Sequence, residues 1–117
     1  MLQLRVTPRE GFLLAEIEGL VAVEAWEGVL RELGQAAHAS RSHRLVVDLT
    51  ALVGWLGVPE RKEVGALMAS HLAPFEKVSL YIQATKIAGV VEPVARSHGL
   101  DLRLFSGWDE AVSWAVA

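Results

Sequence analysis

The sequence contains no cysteine, which removes disulfides, thiolate metal sites and cysteine nucleophiles from consideration. It has no uninterrupted apolar run near the roughly 18 residues that a membrane-spanning helix requires. Its first residues, MLQLRVTPRE, lack the basic segment and long apolar stretch of a secretory signal. A cytoplasmic protein that is not integral to a membrane is therefore expected. Basic clusters are also missing. Eleven lysines and arginines are scattered against fourteen aspartates and glutamates, for a formal net charge of −3. Such a chain has no overall attraction to a polyanion, so no nucleic-acid partner is expected.

The familiar chemical motifs are absent as well. No Gly-x-x-x-x-Gly-Lys-Ser/Thr run follows a strand, and no Gly-x-Gly-x-x-Gly occurs, so neither a phosphate loop nor a dinucleotide site is indicated. His38, His43, His71 and His98 form no ligand pattern and no His-Glu-x-x-His motif, so no metal and no cofactor are expected. Ser70-His71 and Ser97-His98 are adjacent in sequence. Both pairs fall on predicted helices, without the strained Gly-x-Ser-x-Gly turn that exposes a serine nucleophile. The expectation is a protein without enzymatic activity.

What is present fits a compact domain. Hydrophobic residues make up 52% and charged residues 21% of the chain, a balance that favours a packed core over disorder. At 117 residues the simplest organisation is one domain over 1–117. A chain of this size buries about 65% of the surface it exposes when unfolded.

Leu2, Leu4 and Val6 alternate onto one face, and FLLAEIE continues as a strand beyond the turn formers Pro8 and Gly11, which predicts an antiparallel hairpin. From Val23 to His38 the apolar positions Trp26, Val29, Leu30, Leu33, Ala36 and Ala37 recur at intervals of three and four, giving a helix with one buried face. Gly28 and Gly34 mark either close packing or a fraying end of that helix. RLVVDL, beginning at Arg44, is a near-continuous apolar run, as in a strand covered on both sides. A helix over Pro59 to Leu72 follows, with proline suited to its first turn. KVSLYIQ is the next strand. Thr85 is a candidate cap for the helix after it, whose apolar face is Ile87, Val90, Val91, Val94 and Ala95. Pro93 bends that helix or delays its start. Gly99 reads as a left-handed helix terminator, and a short strand ends at Phe105. Ser106, three residues before Asp109, resembles a capping box for a last helix whose apolar face carries Trp108, Ala111, Val112 and Ala115. Trp26 and Trp114 are expected in the core, with Trp108 partly exposed.

The order ββαβαβαβα is that of an α/β fold: a mixed, mostly parallel sheet of about five strands, opened by an N-terminal antiparallel hairpin and built from right-handed crossovers. Joined to RLVVDLTALVGW, GVVEPVARSHGLDLRLF and FSGWDEAVSWAVA, this order resembles the STAS superfamily. The resemblance is in particular to its SpoIIAA-like branch, small bacterial domains that also resemble the CRAL-TRIO lipid-binding fold. In that family a strand ending in Phe precedes a helix containing Glu-Ala and, beyond the next apolar position, a Trp. The matching residues here are Phe105, Glu110, Ala111 and Trp114. Classical anti-sigma-factor antagonists of the superfamily carry a phosphorylatable serine at the start of the helix after the third strand. This chain has Leu56, Gly57, Val58 and Pro59 there, with Thr50 too early, beside the strand end. The resemblance thus implies a non-enzymatic regulatory or interaction module that lacks the classical switch.

In open parallel sheets ligands bind beyond the carboxyl ends of the strands, where helix N-termini converge. The rim predicted on that rule comprises Thr50 to Arg61, Gln83 to Lys86, and Ser106 with Gly107. Within it Thr50, Trp55, Arg61, Thr85 and Lys86 are the candidate ligand-binding residues. Trp55, between Gly54 and Gly57, acts as an aromatic lid in this reading, and Arg61 and Lys86 meet an anionic head group. The competing reading packs Trp55 into the core and leaves both cations solvated. Asp48, at the strand end, more simply caps a loop N–H. Partners of this type are a protein or a small apolar or amphipathic ligand; a lipid-transfer-like carrier and a small hydrolase are the rival functions. The first strand, expected at a sheet edge, also invites a homodimer.

Overall fold

The computed structural model describes residues 2–86 and 89–117. β1 (Leu2–Arg9) and β2 (Phe12–Leu20) form the hairpin. The chain then alternates through α1 (Val23–Ala39), β3 (Arg44–Val53), α2 (Val58–His71) and β4 (Lys77–Tyr81). A 3-10 turn (Ala84–Lys86), α3 (Val91–Ser97), β5 (Leu102–Phe105) and α4 (Trp108–Val116) complete it. The five strands lie side by side in the order β1-β2-β3-β4-β5. β1 pairs antiparallel with β2, and every later pair is parallel. The expected mixed α/β architecture is the one observed.

Sequential parallel neighbours require each crossover to return over the same face, and α1, α2 and α3 accordingly share one side of the sheet. Between them and the strands lies the larger core, which includes Trp26, Leu33, Leu45, Val47, Met68, Leu80 and Leu102. α4 packs on the other side, across β3, β4 and β5, where Ala111 and Ala115 meet Phe12, Leu14 and Val46. Covered on both sides, β3 buries Leu45, Val46 and Val47 in succession, which explains its unbroken apolar run. Ser79 is the buried polar residue on β4, and its hydroxyl donates to the Ala111 carbonyl at 2.7 Å, tying α4 to the sheet.

Local chemistry departs from the sequence expectations at identifiable points. Pro8 lies within β1, opposite Leu13, rather than in the turn. An edge strand tolerates a proline because its outward N–H has no partner to lose. Glu10 and Gly11 alone make the turn, with Gly11 at φ 85°. β3 runs on to Val53 through a bulge, one residue longer than β2 between the Glu16–Asp48 and Glu18–Ala51 pairs. Thr85 does not cap α3: it is exposed on the 3-10 turn, and α3 begins only at Val91, with no side-chain cap. Ile87 of the expected helical face lies outside the described residues. Pro93 falls in the first turn of α3, where a missing N–H costs little.

At the other end of α3, Gly99 has φ 95°. Its N–H donates to Arg96 and that of Leu100 to Ala95, at 3.0 and 3.1 Å, the paired bonds of a Schellman motif. Ser106 does not cap α4; Gly107 is its N-cap, and Glu110 folds back so closely over it that a Cβ there would collide. Trp114 is half-buried rather than core. It lies against Phe105, with Lys77 and Arg103 about its ring at 5.0 and 5.2 Å. Trp108 is half-buried, edge-on to Phe12 and Tyr81. Among the described residues, no helix is long and apolar enough to cross a membrane.

Candidate functional site

The parallel strands β3, β4 and β5 end on one rim, beside the start of α2 and the segment leading into α3. What happens there is set by how the chain leaves β3. Leu52 points into the larger core and Val53 out to solvent. Gly54 then takes φ 98°, a left-handed conformation that disfavours any residue with a Cβ. A Cβ at that position would also press on Leu20 and Val21 at 3.2 Å. The turn throws Trp55 outward, 55% exposed, and returns Leu56 toward the core. Gly57 precedes the first residue of α2, and Pro59 sits in its first turn, so strand exit, aromatic lip and helix start are compressed into a few residues.

Behind Trp55 the larger core does not close completely. A cavity of about 100 Å³ opens to solvent between the strand ends and the helices. Leu49 and Leu52 of β3, Leu80 of β4 and Leu104 of β5 form its floor. Its walls are Trp26 of α1, Val64 and Met68 of α2, and Val91 of α3. Apolar atoms dominate this lining, and among the described residues its charged side chains are Arg61 and Lys86. Arg61 lies with its guanidinium carbon 5.0 Å from the centre of the Trp55 ring, a cation–π arrangement. Its Nε donates to the Leu56 carbonyl at 2.8 Å. The Lys86 ammonium donates to the Leu52 carbonyl at 2.7 Å, reaching across from the β4 side to the end of β3.

Three of the five candidate residues, Trp55, Arg61 and Lys86, therefore meet at one cavity mouth, and two do not. Thr50 sits on the β3 bulge: its N–H and hydroxyl both donate to Asp48 Oδ1, at 2.9 and 2.6 Å. Its carbonyl accepts from Gln83 at 3.0 Å. Asp48 is thus occupied in capping, as its position at a strand end suggests. Thr85 and Ser106 are exposed and Gly107 is half-buried, and none of the three is among the described residues that line the cavity. Trp26, Val64 and Met68 line the cavity without having been singled out from sequence. Each belongs to an inward helical stripe that reads as ordinary core, and no periodicity signal marks where a core fails to close.

Ser97 donates to the Val94 carbonyl at 2.7 Å, and the His98 ring lies 2.9 Å from the same oxygen, so this pair is engaged in ending α3. Among the described residues, no three His, Asp or Glu side chains come together as a metal site requires.

No protein-family model matches the sequence, and no curated protein matches it either. Solved structures do. The chain superposes on an anti-sigma factor antagonist from Mycobacterium paratuberculosis with a TM-score of 0.71 at 13% identity, over 100% of this chain and 96% of the other. It also superposes on an uncharacterised protein of the DUF3478 family from Shewanella loihica, described as having a SpoIIAA-like fold. That match has a TM-score of 0.58 at 17% identity, over 97% of this chain and 93% of the other. The likeness spans both chains nearly end to end, and the fold is SpoIIAA-like.

Proposed function

We propose that this SpoIIAA-like domain is a non-enzymatic regulatory module that docks a protein partner through the rim of its sheet and takes a small apolar or amphipathic ligand in the cavity beneath. The observation that carries this reading is the juxtaposition of the two surfaces. Leu20, Val53, Trp55 and Val58 are large apolar side chains left exposed at or near the ends of β2 and β3, and Trp55 belongs to both the exposed lip and the cavity mouth. Exposed apolar groups gathered in one place mark interaction surfaces more often than chance. A lip that shares a residue with a ligand pocket gives occupancy a direct route to docking. The anti-sigma factor antagonist of similar fold is named for acting on a protein, which supports the same class of role here.

The classical phosphorylation switch does not fit this chain. α2 begins at Val58 after Gly57, and there is no serine between Asp48 and Ala69. Thr50, the hydroxyl nearest to that region on the β3 side, donates to Asp48. Incubation with anti-sigma-type kinases and ATP, followed by peptide mapping, is expected to find no phosphate between Asp48 and Lys62. Stoichiometric modification at Thr50 would overturn that expectation.

The docking claim is tested by parallel affinity capture with the wild-type protein, a Val53→Asp lip variant and a remote Arg31→Glu control. A partner kept by wild type and control but lost by the lip variant supports the reading. One held equally by all three places docking elsewhere. The apolar lining also favours a carrier as second reading. Native mass spectrometry of the purified protein separates the two: stoichiometric retained lipid favours a carrier, whereas an empty protein that still binds its partner favours the regulator.

A further inference from the structure

Resting on the reading of the cavity as a ligand site, we propose that its ligand is a single-chain amphiphile with an anionic head, the tail lying on the strand floor and the head at the mouth between Arg61 and Lys86. The argument begins with donors. A guanidinium has five N–H groups and an ammonium three. Arg61 commits Nε to Leu56, and Lys86 donates to Leu52. Among the described residues, the Arg61 terminal nitrogens have no protein acceptor, and neither cation has a carboxylate within ion-pair distance. The bonds they do make fix their positions, so the remaining donors are held at the mouth rather than swinging in solvent.

Charge and polarity then select the ligand. Among the described residues no aspartate or glutamate belongs to the lining, and Glu60, the neighbouring carboxylate on α2, lies over Gly57. Arg61 and Lys86 both line this apolar cavity in a chain whose formal net charge is −3, so the charge carried by the lining is opposite in sign to that of the whole molecule. An ionised head driven to the floor among Leu49, Leu80 and Met68 would lose its hydration with no partner in return. At the mouth it keeps water on one side and gains charge-assisted hydrogen bonds on the other. A fully apolar ligand would leave those donors without an acceptor, and a cationic head would be repelled.

Octanoate, octanol and octylammonium share one tail length and differ in the charge of the head, so calorimetric titration of all three into the protein separates the head from the tail. Octanoate is expected to bind more tightly than octanol by about tenfold or more, the scale of one good charged hydrogen bond, with octylammonium weakest. Ligand-induced shifts should map to the Met68 and Val64 methyl signals and the Trp55 indole. In Arg61→Gln and Lys86→Gln octanoate should weaken toward octanol while octanol stays unchanged, which also reports that the variants are folded. As a measurement needing no variant, added salt should weaken octanoate and leave octanol alone. Octanol binding as tightly as octanoate would overturn the anionic head while leaving the cavity as a ligand site. An octanoate preference that survives both substitutions would overturn the assignment to these two cations. Failure of all three compounds at millimolar concentration would sink the cavity reading itself.

Discussion

Trp26 and Trp55 both line the cavity, yet they stand in opposite relations to the fold. Trp26 is 3% exposed and Trp55 is 55% exposed. Trp26→Ala removes a side chain that the surrounding helices and strands cannot replace, and is expected to cost about 3 to 5 kcal/mol. Trp55→Ala removes an exposed lip held by one cation, and is expected to cost about 1 kcal/mol or less, its effect falling on ligand or partner binding. Urea unfolding read by circular dichroism measures both without depending on the lost fluorophore. A Trp55→Ala loss as large as that of Trp26→Ala would mean that Trp55 is a core residue. Sequence alone left Trp55 between these roles, since its flanking glycines spoke for mobility and the apolar run ALVGWLGV for burial. The decision lies in the left-handed turn at Gly54, a backbone property that hydropathy does not carry.

Helix α1 contains two glycines that a propensity scale treats alike and that the packing of α1 on α2 separates. At Gly28 an added Cβ meets nothing within 4 Å, while at Gly34 it lies 2.6 Å from the His71 carbonyl oxygen of α2. Gly28→Ala should therefore stabilise the protein by about 0.5 to 1 kcal/mol, through helix propensity and a less flexible unfolded chain. Gly34→Ala should destabilise it by about 1 to 3 kcal/mol, because a backbone oxygen at a helix crossing moves only if the helices part. Thermal melts of the two variants should shift in opposite directions; destabilisation by Gly28→Ala would refute this account. The same distinction governs what was legible at this scale. Gly99 was readable because a left-handed terminator is a local device completed within a few residues. Neither Thr85 nor Ser106 caps the helix that follows it, because a cap is defined by where the helix starts. Glycine at 107 and a 3-10 turn before α3 moved those starts away from the hydroxyls.

At the scale of the whole molecule, strand alternation and the unbroken run of β3 made the topology legible, since a strand buried on both faces must sit inside a sheet. What they did not carry is how far α4 reaches. It covers β3, β4 and β5, while Gln3, Arg5 and Glu18 near the hairpin edge of the sheet remain exposed. That edge bears on assembly. β1 presents an outer edge of eight residues, against four for β5 at the opposite side. An unpaired edge of this length is a template for a further strand unless charge or proline guards it. The guards here are partial. Arg5 is drawn back onto its neighbour, donating to both Glu16 carboxylate oxygens at 3.1 and 3.0 Å, and Pro8 interrupts only the far end of the strand. Leu2, Leu4 and Val6 face inward against the larger core, so pairing of two β1 strands would extend both sheets without exposing apolar surface. The expected outcome is a homodimer at micromolar concentration, joined through β1 and formed without the cavity rim. Sedimentation velocity on the wild-type protein and on Trp55→Ala should show the same dimer in both. A monomer persisting to high micromolar concentration would count against edge pairing, and a dimer lost only in Trp55→Ala would move the contact from β1 to the rim.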